Sequence, residues 1–139
     1  MILITDELRA RLLANGAAET ETNYVPVVKL FNPVGAATWI LTELEADGDT
    51  LFGLCDLGFG FPELGSVSLA ELQAVKGPLG LGIERDLYFA PRFPLSVYAE
   101  AARVAGHIVE AEQLLRHAAA ALALSRSELP PNAADDERR

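Results

Sequence analysis

The chain has 139 residues, 22% of them charged and 50% hydrophobic, and a formal net charge of −9. That length suits one domain whose core needs no disulfide or metal staple. The lone cysteine, Cys55, excludes an internal disulfide and points to a reducing cytoplasm. No apolar run approaches the roughly 20 residues of a membrane span, and the N-terminus carries acids where a signal peptide carries bases.

The charge is uneven. No basic residue lies between Lys29 and Lys76, whereas Glu43, Glu45, Asp47, Asp49, Asp56, Glu63 and Glu71 all do. The resulting negative potential repels a phosphate backbone and attracts basic partners. With no clustered Lys/Arg footprint, direct nucleic-acid binding is not expected.

In chain order, residues 5–15 predict a helix: Thr5 is a suitable cap, and Asp6 and Glu7 suit the positive N-terminal end. Leu8, Leu12 and Leu13 supply its apolar stripe, and Asn15-Gly16 its stop. Three strand-like runs follow, Val25–Phe31, Ala36–Leu44 and Thr50–Leu57, separated by NPVG and EADGD. Such short, turn-rich connectors predict an antiparallel meander. Closing the hairpins on those turns sets Lys29 opposite Thr38 and Thr38 opposite Asp56. Period two then places Val28, Leu30, Trp39, Leu41, Leu51 and Cys55 on a core face. Lys29, Thr38, Thr42 and Asp56 fall on a mixed face with Val27, Ile40, Phe52 and Leu54.

Gly58–Gly65 reads as a loop exposing Phe59 and Phe61. Ser68 followed by Glu71 has capping-box spacing and predicts a short helix over 69–75. The second half of GPLGLGIERDLYF (77–89) alternates as a strand would. From Pro94 the chain is Ala-rich, and Val97, Ala101, Val104, Ile108, Ala111, Leu115, Ala118 and Leu122 keep a 4-3 spacing. That seam predicts one long helix over 94–126, packed on the domain or pairing with a second copy through Val97, Ala101, Val104, Ile108, Leu115 and Leu122. Gly106 is the place for a kink or break. The polar, Pro-broken residues 127–139 are expected to be disordered.

The chemical inventory is sparse. His107 and His117, ten residues apart, would stand about 15 Å apart along one helix and cannot share a metal. Glu45, Asp47 and Asp49 resemble the start of a calcium loop, but Thr50 stands where its glycine belongs. No metal or cofactor is expected. Cys55 has no histidine near it in sequence and reads as an inert thiol. The cluster Glu84-Arg85-Asp86 stands out in an apolar run. As a strand it sets two carboxylates on one face, which with Asp56 or Lys29 could do acid–base work or bind a ligand. In the structural alternative, Arg85 forms a fork-like ion pair that pins the loop.

FGL (52–54), ELGSVSLAEL (63–72) and GPLGLGIERDLYF (77–89), in that order, resemble a family of small bacterial proteins catalogued as domain of unknown function 2958, often carried on plasmids and integrative conjugative elements. The resemblance covers roughly residues 1–96; Ser66 and Val67 replace the aromatic residues expected before Ser68. It implies a mobile-element or bacterial cytoplasmic setting and supplies no catalytic residues.

The expected fold class is α+β: a small antiparallel β-meander with flanking short helices and a long Ala-rich C-terminal helix. Residues 1–93 form the acidic domain, 94–126 the helix and 127–139 the tail. The expected function is that of a non-catalytic accessory protein. It binds a macromolecular partner through Glu43, Glu45, Asp47, Asp49, Phe59 and Phe61, in one form as a counter-defence or DNA-mimicking protein. The alternative is a small enzyme or ligand-binding protein using Glu84, Arg85, Asp86, Asp56 and Lys29.

Overall fold

Short connectors rich in Asn, Asp, Gly and Pro reverse an extended chain cheaply, and here they fold the middle of the chain into successive hairpins. The computed structural model describes residues 1–127; the tail expected over 127–139 falls, but for Ser127, outside the described residues. Helix α1 (Asp6–Ala17) precedes strands β1 (Val28–Phe31), β2 (Thr38–Leu44), β3 (Thr50–Asp56) and β4 (Glu63–Ser68). Helix α2 (Leu69–Ala74), a 3₁₀ turn (Pro78–Gly80), strand β5 (Glu84–Arg85), and helices α3 (Leu95–Ala105) and α4 (Glu112–Ser127) complete the chain. The five strands form one sheet in the order β4-β3-β2-β1-β5, and every pairing is antiparallel. The fold class is α+β, as the sequence implies.

Both sheet faces are covered. On one, Val28, Leu30, Trp39, Leu41, Leu44 and Leu51 pack against Leu12 of α1, Leu69 and Leu72 of α2, and Leu3, Ile4 and Ile83. On the other, Ile40 and Leu54 pack against Leu95, Tyr98, Ala101 and Ala102 of α3 and Leu115 and Ala118 of α4. The face expected to be mixed is therefore a second core. Val27 packs with the first core, because it precedes β1 and lies outside that strand's alternation.

Thr38 pairs with Asp56 as expected, but Lys29 faces Ile40 and Phe31 faces Thr38. The β1–β2 connection is longer than four residues: Asn32 donates across it to the Ala37 carbonyl. The register is thus two residues from the expected one, and a shift of two preserves the faces. A bulge at Thr42 shifts the β2–β3 pairing between Leu41 and Glu43, which turns Leu44 inward beside Leu41.

Capping proceeds as the sequence implies at Thr5, whose side chain accepts from Leu8 N–H at 3.2 Å, and at Ser68, which accepts from Glu71 N–H at 3.2 Å. Helix α1 runs two residues past Asn15, whose amide instead donates to the Thr42 carbonyl at 2.9 Å. The Ala-rich segment is two helices and not one. Gly106 adopts φ 82°, ψ 2° and ends α3. The break lets α4 fold back on α3, so Leu115 and Ala118 are buried within the chain.

Candidate functional site

The charged residues of the enzyme reading meet where β1 passes β5. Asp86 N–H bonds to the Lys29 carbonyl at 2.9 Å. The Lys29 ammonium lies 3.3 Å from Asp86 and 2.5 Å from Glu110, on the α3–α4 connector. Burial alone would lower the Lys29 pKa, but the Glu110 and Asp86 carboxylates outweigh it and hold the group above its ordinary value of 10.5. Lys29 is therefore a fixed cation, unsuited to act as a base. Asp86 also accepts from Tyr88 N–H at 2.8 Å.

Among the described residues Arg85 forms no ion pair. Its guanidinium donates to the Ile2 and Leu3 carbonyls at 2.6 and 2.8 Å and so clamps the N-terminal segment against β5. Backbone carbonyls stand in place of the expected carboxylate partner, and Met1 lies over the same edge, its sulfur 3.3 Å from Arg85 N. Glu84 lines a groove of about 350 Å³ with Met1, Lys29, Phe31 and Tyr88.

Asp56 stands apart from that cluster. It is 4% exposed, and its two oxygens accept from Gly58 N–H at 2.9 Å and Ile108 N–H at 3.0 Å. Asp56 and Lys29 thus fasten the same α3–α4 connector at two points.

The residues expected to form one partner-binding surface lie at opposite ends of β3. Its seven residues separate them by about 20 Å, at roughly 3.4 Å per residue. At the β2–β3 end, Asp47 accepts from Asp49 N–H, Thr50 N–H and the Thr50 hydroxyl at 2.8, 2.9 and 2.6 Å. These bonds, the hydroxyl's foremost, hold its pKa below the ordinary range. Asp49 accepts from the Ser68 hydroxyl at 2.7 Å and from Ala70 N–H at 2.8 Å, capping α2. Asp47 therefore builds the turn, and Asp49 ties it to the start of α2. Glu45 remains exposed, while Glu43 is half-buried beside the Thr42 hydroxyl at 3.4 Å. Among the described residues no three metal-ligating side chains gather.

At the β3–β4 end the chain reverses through Gly58 at φ 90°, where a Cβ would lie 2.5 Å from that of Ala36. Phe59 and Phe61 are 79% and 80% exposed, with Leu57 and Leu64 exposed beside them. They border a cavity of about 420 Å³ whose lining includes Cys55, Gly65 and Val67, with Glu63 as its charged member. The Cys55 thiol is half-buried, and burial pushes its pKa up.

Two features escape the sequence reading. Strand β4 is one, since ELGSVS lacks the β-branched alternation that marks a strand. Leu79 is the other: it adopts φ 63° within GPLGLG and is 94% exposed. A branched residue in that conformation is uncommon, and the flanking Pro78 and Gly80 are its only sequence signal.

Among the described residues no helix is long and apolar enough to cross a membrane. No curated protein and no solved structure matches the chain. A family model described as a protein of unknown function, DUF2958, matches residues 3–109. The match runs past the limit near Leu95 that the motifs imply, takes in α3 and stops before α4. With more than half its length matched, the chain belongs to the DUF2958 family.

Proposed function

We propose that the protein is a non-catalytic accessory protein that recognises a protein partner at the aromatic end of its sheet. The carrying observation is the exposure of Phe59 and Phe61, flanked by Leu57 and Leu64, around an apolar-lined cavity. Exposed aromatics beside a cavity are characteristic of binding hot spots. Glu63, the charged residue lining that cavity, supplies a local negative charge that favours a basic partner.

The competing small-enzyme reading draws on groups that already serve the fold. Lys29 and Asp86 pair with each other, Arg85 holds backbone carbonyls, and Asp56 holds amides. In the DNA-mimic form of the binding reading, Asp47 and Asp49 keep their charge but have oxygens already engaged by backbone amides. The family resemblance favours a bacterial cytoplasmic setting, with the partner in host defence, DNA processing or conjugation.

Affinity capture from the native host, comparing the full chain with its F59S/F61S variant, tests this reading. Both rings are exposed, so the double variant keeps its thermal stability and loses the captured protein. Unchanged capture, or no capture by the unaltered chain, overturns the reading.

A further inference from the structure

We propose that β4 is an acceptor edge that takes an extended peptide, apolar at its centre and basic at its ends, as a sixth strand of the sheet. The inference rests on the recognition reading above and names the chemistry of the partner. Strand β4 is an outer strand. It pairs with β3 over six consecutive residues without a bulge. Among the described residues, no backbone hydrogen bond joins Glu63–Ser68 to any element but β3.

Natural sheets blunt such edges with Lys, Pro, bulges or short strands. The opposite edge obeys that rule, because β5 has two residues and Met1 lies against it. Strand β4 is much less protected: ELGSVS contains neither Lys nor Pro, and its one charge, Glu63, stands at its start. Such an edge offers a ladder of main-chain donors and acceptors to an incoming strand.

Specificity in strand addition comes from sites that receive alternate side chains. Glu63, Gly65 and Val67 share a face with Cys55, and all four line the 420 Å³ cavity together with Leu64 and Ser66 of the same strand. A Cβ at Gly65 would meet nothing within 4 Å, so the floor is open where apolar side chains of an added strand would arrive. Charge selects the ends. Glu63 stands at the start of β4, while Asp49 touches Ser68 at its finish and Glu71 is exposed just beyond. A second copy of this chain is the poorer occupant: antiparallel pairing of two β4 strands would set Glu63 of each against the Asp49–Glu71 end of the other, and like charges across a sheet are destabilising.

The test uses the full chain and three synthetic octapeptides. One alternates valine and threonine between terminal lysines; the second has terminal glutamates; the third keeps the lysines and has two central prolines. Amide hydrogen exchange reads the β4 backbone, and fluorescence of the lone Trp39, which pairs with Cys55, reads affinity. The lysine-ended peptide is expected to slow exchange of the β4 amides that point away from β3. It should bind about tenfold tighter than either control, and E63K should remove most of that advantage.

Unprotected β4 amides at saturation, or equal binding of the proline peptide, overturn the proposal. Protection that grows with protein concentration and no peptide assigns the edge to a second copy and also overturns it. Should F59S/F61S abolish capture while every peptide leaves β4 unprotected, recognition at the aromatic end stands and strand addition falls.

Discussion

Asp56 shows how one buried carboxylate organises two distant parts of the chain. Its oxygens accept from Gly58 N–H, which sets the turn carrying Phe59, and from Ile108 N–H, which fixes the α3–α4 connector. Removing it deprives two amides of a charged acceptor, each worth about 1.5–3 kcal/mol where buried. Gly58 is exposed and regains water, so D56A should cost about 2–3 kcal/mol in total. D56N keeps an acceptor oxygen and should cost less; equal losses in urea unfolding would contradict this account. Lys29 fastens the same connector by charge. Its folded-state pKa is raised above 10.5, so its contribution is complete below that value and is lost as pH rises through the raised one. Denaturation of the unaltered chain and K29M from pH 8 upward should show a stability difference that closes above pH 10.5. A difference that persists there would mean that the ion pairs are not its source.

At the scale of elements, legibility followed local chemistry. Thr5 and Ser68 announce their helices because capping is a contact over three residues. The two-residue register difference at β1–β2 did not disturb Leu30, Trp39 or Cys55, because the period of a strand is two. Strand β4 stayed hidden because an edge strand exposed along much of its length has no burial pattern to display. The separation of Asp47 from Phe59 was available in principle: successive hairpins turn at alternate ends of a meander. The break at Gly106 was harder, since Ile108 still packs against the second core and so keeps the seam's rhythm across the interruption. At φ 82° an alanine is strained, and G106A should cost about 1 kcal/mol. Were the segment free to become one continuous helix, the same change would stabilise it by about that amount. The sign of the shift in thermal unfolding decides between the two.

For the molecule as a whole, the decisive quantity is where the charge lies relative to the screening length. Of the net −9, residues through Phe93 carry −7, from 13 acids against 6 bases. The ion pairs among the described residues all lie outside the cation-free interval: Lys29 with Asp86 and Glu110, Arg92 and Arg116 with Glu112, and Arg103 with Glu100. Strands β2, β3 and β4 therefore hold carboxylates without ion-pair partners among the described residues at both ends of a sheet about 20 Å long, with the Arg9 guanidinium, on the Gly48 carbonyl, the one cation at the β2–β3 turn among the described residues. At 0.01 M salt the Debye length is about 30 Å and these ends repel each other; at 0.15 M it is about 8 Å and they do not. The exposed arginine pairs weaken with the same salt, but each is worth only about 0–1 kcal/mol. Relief of repulsion should win, since net charge far from zero works against the compact state. Raising sodium chloride from 0.01 to 0.15 M should therefore raise the melting temperature. E43Q/E45Q, which removes two charges without touching the Asp47 and Asp49 turn, should raise it at low salt and narrow the salt effect. A melting temperature that falls with salt would show that the arginine pairs, and not the acidic sheet, set the electrostatic balance of the fold.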